Sequence, residues 1–407
     1  MALAAAALPL GSRIRGYVES LGGQGAARLW GASGSSAPAL AALANGTLTS
    51  AQDFDAGWHL TTHTLPAAIA AGEHAGASGA KVLAGFIAGY EAGARLIGVV
   101  DSARAAGAGM TARGWYHVGF VGPLAAALAA GKVLGLDEAQ LRGALGTAAA
   151  TSGGVRRNFG TMAKAYQAGN AAMQGVQAAL LSAGGFAGDP DVLESPLGLF
   201  AALDVPDGQA EAEIGRLGRD WELLASLKIK RFPACTPAHQ PVQLALQLQR
   251  EHGFAAEHVE RIEADLHTFS LLRLEPEDEV AAGFSLPYLL AVALIDGELT
   301  LGQMDDRRVH DPQVRRLMAR VHSAGDSYPS GAEDHPEHVR IRLRDGRVLE
   351  AETRRVDRLD TPEEITAKFR DCAARTLPAA SVERLRELAM GVDALADVGQ
   401  LTAASQP

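Results

Sequence analysis

Arg156-Arg157-Asn158-Phe159-Gly160-Thr161-Met162-Ala163-Lys164-Ala165-Tyr166-Gln167-Ala168-Gly169 is the stretch on which the reading of this chain turns. It opens an alanine-rich run over residues 164–185 that is apolar nearly all round, and a helix without a polar face belongs inside a large core. The stretch therefore predicts a buried central helix with a lysine in its first turn. A lysine desolvated among small residues gives up its proton more readily than a free one, near 10.4, and becomes a usable acid or base near neutrality. Spacing alone leaves the alternative open, a lysine that snorkels from a helix start and only packs.

Outward from there, residues 60–185 are dominated by alanine, glycine and leucine, and helical patterns run over 65–72, 81–96, 123–134 and 170–181. Glycines and polar residues interrupt each apolar stretch before the roughly 18 residues a bilayer span needs. The character changes near Leu227. Alternating segments follow at 259–266 and 339–344, and the second meets 347–351 across Asp345-Gly346, a type I′ hairpin signal. Helical stretches are expected at 286–294 and 312–321. From Thr361 the pattern is helical again, with Thr361-Pro362-Glu363-Glu364 as cap and first turn. The simplest architecture is mainly α with an inserted α+β domain: a large all-helical domain from residues 1–227 and 361–407, and a smaller α+β lid from 228–360.

Length and composition bound the function. The 407 residues suit two or three domains, and 47% apolar residues supply a large core. With 37 basic and 47 acidic side chains the formal charge is −10, which argues against nucleic acid and anionic membranes as partners. An acidic chain that handles an anionic substrate must gather its cations locally; Arg156, Arg157, Lys164, Lys228, Lys230 and Arg231 are the candidates, with a solvated scatter as the alternative for some. Two cysteines, Cys235 and Cys372, are too few for a disulfide framework and point to a reduced, cytoplasmic protein. No histidine or cysteine has metal-ligand spacing; His335 and His338 flank Pro336 in a polar loop, so no metal is expected. Residues 1–10 are apolar without a preceding basic residue and too short to span a bilayer, unlike a signal peptide.

Several segments recur in an order that resembles the MmgE/PrpD family, whose members include 2-methylcitrate dehydratases, cis-aconitate decarboxylases and iminodisuccinate epimerases. They are 36–46 leading into Asp53-Phe54-Asp55, Tyr90 to Leu96, Arg113-Gly114-Trp115, Gly122-Pro123, the lysine stretch quoted above, 186–200, Ile229 to Cys235 with His239, and Phe284-Ser285-Leu286-Pro287-Tyr288. Ser195 stands where glycine is usual. The resemblance implies the two-domain fold, a site in the cleft between domains, a homodimer, and a chain shortened at its start relative to the family. It also implies chemistry without metal or organic cofactor: proton removal next to a carboxylate of a small di- or tricarboxylate.

Carried over by position, Asp53, Lys164 and His59 are the implied catalytic residues, with His63 four residues on as the alternative histidine. Lys230, His239 and the lid tyrosine Tyr288 are implied to bind substrate, and Arg157, from the local cations, and His117, one residue off the family position, are further binding candidates. Tyr116 occupies the place where family dehydratases and decarboxylases carry a histidine, and Gln167 also replaces a common histidine. The leading reading is a hydro-lyase resembling 2-methylcitrate dehydratase. The others are a two-base epimerase using Tyr116 and Lys164, a decarboxylase of the cis-aconitate type, and a non-catalytic scaffold. Two close lysines are expected to depress each other's proton affinity.

Overall fold

The computed structural model describes residues 1–54, 57–102, 109–265, 273–324, 336–354 and 358–407, and the fold is mainly α with small sheets. Helices Pro38–Ser50, Thr61–Ala75, Gly122–Leu134 and Glu138–Ala149 pack around the central helix Met162–Ala183, with Gly79–Asp101 outside Gly122–Leu134. Their ends are set by local chemistry. Ser78 accepts from the Lys81 N–H, Asp137 and Gln140 form a capping box, and the left-handed Gly76 and Gly135 close the preceding helices. The helices outrun the windows read from sequence because alanine and glycine carry no amphipathic signal at the ends. Gly79–Asp101 is long and apolar enough to cross a membrane, although 56% of its most apolar window is buried inside the structure.

Small side chains let these helices nearly touch. A Cβ built on Gly169 would lie 2.2 Å from both the Leu43 carbonyl oxygen and Thr47 Oγ1, and one on Gly46 would lie 2.9 Å from the Gly169 Cα. The central helix is therefore locked against Pro38–Ser50 along its first half, the half that carries Lys164.

The remainder builds a second core. Strands Val321–Ser323, Val259–Ala264, Glu337–Leu343 and Val348–Thr353 form one sheet in that spatial order, the first pair parallel and the others antiparallel. Val339, Ile341 and Leu343 alternate inward, with period two, and meet Ile262, Leu244, Leu248 and Leu289 from the sheet and from helices His239–His252 and Leu286–Asp296. The expected hairpin forms, pairing Arg342 with Val348, but its turn differs. Gly346 at φ 91° is the only left-handed residue there, whereas type I′ needs two. Leu266, at the end of one expected strand, and His335 lie outside the described residues, as does Asp55.

The chain's two ends meet. Thr361 and Glu364 make the expected capping box of Pro362–Ala374, and this helix with Ala379–Met390 packs Ala373, Leu377, Val382 and Leu385 against Leu3. A neighbouring cluster of Ala4, Phe54, Leu301 and Cys372 brings both ends beside residue 53.

Gly169→Ala tests the helix contact: overpacking against Leu43 and Thr47 should cost on the order of 1–3 kcal/mol, read as a melting temperature several degrees lower. An unchanged melting temperature would mean that the two helices part without penalty.

Candidate active site

Asp53 ends the turn after Pro38–Ser50 with a left-handed backbone, φ 48°, which turns its carboxylate back under the start of the central helix. Lys164, in the first turn of that helix, donates to Asp53 Oδ1 in a short contact and to Ser50 Oγ at 3.4 Å. From the opposite side Lys230 Nζ reaches Asp53 Oδ2 at 3.0 Å and the Asp53 carbonyl at 2.8 Å. Lys230 is aimed by its two-residue strand, Ile229–Lys230, which pairs antiparallel with Arg358–Leu359. All three side chains are buried. The lysines thus do not face each other directly; a carboxylate stands between them. Burial opposes ionisation of Asp53, yet Lys164, Lys230 and His59 outweigh it and hold the carboxyl well below the usual carboxylate range. With two ammonium groups and one carboxylate, the trio carries a net positive charge in a dry place.

Histidine placement resolves the alternative left by spacing. Trp58 and His59 are both left-handed, φ 60° and 58°, so the helix starts only at Thr61 and the two histidines do not share a face. His59 Nε2 lies 3.6 Å from Asp53 Oδ1. His63 is fully buried on the helix against Gly122.

Tyr116 and His117 complete the polar wall. The Tyr116 ring lies 6.3 Å from His59 and 5.0 Å from His117, and His59 and His117 stack at 6.3 Å. Consecutive residues reach one space because Tyr116 is extended and His117 begins a short helix, His117–Phe120. The His117 Nε2 meets the Trp58 carbonyl at 2.9 Å. Its proton affinity falls well below the ordinary histidine value through desolvation first, then the charges of His59, Arg156 and Lys164, against the opposing pull of the Trp58 carbonyl. It is therefore neutral at pH 7, donating from Nε2 and leaving Nδ1 as an acceptor. Gln167 donates to the Val155 carbonyl at 3.3 Å and so steadies the segment whose Gly154 carbonyl accepts the Tyr116 N–H. The apolar wall is Val118, Phe159, Ala168, Cys235 and Phe284, with Lys164 Nζ 5.8 Å from the Phe284 ring centre. Burial, with the Asp53 charge behind it, pushes the Cys235 thiol up to about 12, so it stays protonated.

Not every expected residue joins. Tyr288 is buried in the sheet-side core, where its hydroxyl donates to the Gln303 carbonyl, and desolvation raises its pKa. The helix that starts at Leu286 turns that face inward. Arg157 is exposed; Arg156 is the arginine whose charge acts on His117 and Cys235, and its Nη1 donates to the Thr111 carbonyl at 3.0 Å. His239 is buried behind Lys230, its Nε2 3.2 Å from the Ala234 carbonyl, with its pKa lowered to about 3 by burial and then by Lys230. Lys368, missed entirely, donates to the Phe54 and Lys230 carbonyls at 2.7 and 2.8 Å. No local sequence signal marks it. Among the described residues no three His, Cys, Asp or Glu side chains are grouped to hold a metal ion.

The MmgE/PrpD N-terminal domain model matches residues 1–210 and the MmgE/PrpD C-terminal domain model residues 232–394. Cis-aconitate decarboxylase of Aspergillus terreus is 27% identical over 418 residues, covering 93% of this chain and 83% of that protein. The human and mouse proteins of the same name are each 29% identical, covering 90% of this chain and 79% and 78% of their own lengths.

Two outcomes follow from the charges. Asp53→Asn removes the carboxylate that Lys164 and Lys230 share and should cost about 3–5 kcal/mol in thermal unfolding. Because the folded pKa of Asp53 is depressed, its contribution is present above about 3.8 and is lost as pH falls below that value, so the variant should lose this acid sensitivity. For His239 the unfolded chain takes up the proton first. Stability should fall as pH drops from 6.5 toward about 3, and His239→Gln should reduce that slope, leaving the part that His117 contributes over the same window. Equal slopes in variant and wild type would refute the assignment.

Proposed function

Since the chain belongs to the MmgE/PrpD family, we propose that it is a lyase that removes carbon dioxide from a small unsaturated tricarboxylate of the cis-aconitate type, with its own side chains as acid and base. The observation that carries this reading is the buried excess of positive charge at Lys164, Lys230 and Asp53, which calls for an anionic ligand. The family relatives supply the reaction.

In this reading substrate carboxylates pair with Lys164, Lys230 and Arg156, while the departing carboxylate faces the apolar wall of Phe159 and Phe284. The carbon–carboxylate bond breaks and carbon dioxide leaves. Its electron pair spreads over the allylic system toward the remaining carboxylates, where the lysine charges stabilise it. That carbon then takes a proton from the Lys164 ammonium or the Tyr116 phenol, and solvent restores the donor. Residues 228–360 act as the lid that delivers Lys230 to the helical body, and the protein works as a homodimer.

A hydro-lyase is the second reading. In it His59, near Asp53 and stacked on His117, or Tyr116 protonates the departing hydroxide while Lys164 takes the α-proton. An epimerase would instead use Tyr116 and Lys164 on opposite faces of one carbon.

Incubation with cis-aconitate and a panel of di- and tricarboxylates in deuterated water, followed by proton NMR, separates the three. The expected result is loss of carbon dioxide with one deuterium incorporated. Water loss or inversion would replace the leading reading, and an inert panel would sink all of them. Lys164→Ala should abolish turnover, and Tyr116→Phe, which deletes one hydroxyl at nearly constant volume, should cost on the order of a hundredfold if the phenol is the acid.

A further inference from the structure

Lys368 lies on Pro362–Ala374, far in sequence from the residues it joins. Its ammonium donates to the carbonyl of Phe54 at 2.7 Å and to the carbonyl of Lys230 at 2.8 Å, and it sits 3.5 Å from the centre of the Phe54 ring. These carbonyls belong to the two segments that carry the ion cluster: Phe54 directly follows Asp53, and Lys230 is the second cation itself. The helix that bears Lys368 is held on the same segment. Glu364, its capping residue, accepts from Arg231 at 2.8 Å, and Arg358–Leu359 just before it pairs with Ile229–Lys230. One turn beyond Lys368, Cys372 shares a buried cluster with Phe54.

Asp53 needs such support. A non-glycine residue in the left-handed region persists only where its surroundings over-determine it, and the Asp53 carboxylate must stay within reach of two ammonium groups on separate elements. We propose that Lys368 is the positioning residue that sets the separation of Asp53 and Lys230 by clamping the backbone on both sides of the site. Its donors point at main-chain carbonyls, so it serves the chemistry through Asp53 and Lys230. The inference rests on the lyase reading for its kinetic consequence, but the clamp has a readout of its own.

The test compares Lys368→Met, which keeps length and loses donors and charge, with Lys368→Arg. Competitive labelling of the intact protein with acetic anhydride, read by peptide mass spectrometry, reports how well Lys230 is held. In Lys368→Met, Lys230 should acetylate severalfold faster than in wild type, with Lys368→Arg close to wild type. Decarboxylation by the Met variant should lose on the order of ten- to a hundredfold in kcat/KM, with KM raised because Lys230 pairs a substrate carboxylate, measured below its melting temperature. If the Met variant is insoluble, Lys368→Gln, which keeps an N–H donor but no charge, is read in the same way. Wild-type labelling of Lys230 in the folded variant overturns the proposal whatever the activity does. Wild-type protein that turns over no substrate overturns the lyase reading alone, since the labelling still decides the clamp.

Discussion

A single carboxylate between two lysines holds this site together. Asp53 is buried with Lys164 on one oxygen and Lys230 on the other, and against burial the two lysines hold its carboxyl well below the usual carboxylate range. Desolvating an ion costs several kcal/mol, and the cost is offset only by opposite charge at contact distance and by further hydrogen bonds. The pairing therefore constrains three distant parts of the chain at once: the turn after Pro38–Ser50, the first turn of the central helix, and the short strand at Ile229–Lys230.

The helical body exists to hold that geometry. Gly46 and Gly169 let Pro38–Ser50 and Met162–Ala183 approach until backbone meets backbone, so Ser50 and Lys164 are fixed relative to one another within close-packed tolerance. The polar wall is assembled differently, by irregular backbone. Left-handed residues at 58 and 59 swing His59 toward Asp53, and the change from extended to helical conformation between Tyr116 and His117 brings adjacent side chains into one space. The first turn of a rigid helix carries Lys164 and a short strand carries Lys230, whereas irregular backbone places His59 and Tyr116.

Much of the fold was legible locally. Alanine-rich helices, the capping box at Thr361, the alternation of Val339, Ile341 and Leu343, and the hairpin at Gly346 all express short-range rules of backbone conformation and burial. Where reading and structure part, the cause is specific. The turn at Asp345-Gly346 uses one left-handed residue instead of two, and the helices run past their periodic windows because alanine leaves no mark on either face. The resemblance implies that Tyr288 binds substrate, yet its hydroxyl donates to the Gln303 carbonyl, since the register of Leu286–Asp296 decides which face looks inward.

For the site, sequence alone determined the kinds of group present: a lysine opening a buried helix, a second lysine before Phe232-Pro233, an aspartate, a histidine pair and a tyrosine, in the order of the MmgE/PrpD family. Only the tertiary structure decided which of them meet. His59 and not His63 faces Asp53, Arg156 and not Arg157 acts on the site, and Lys368 reaches across 314 positions to the Phe54 carbonyl. The physical reason is the same in each case. Side-chain type and helix periodicity are local properties, whereas left-handed turns, helix register and contacts to main-chain carbonyls depend on where the rest of the chain has packed, and no window of sequence contains that information.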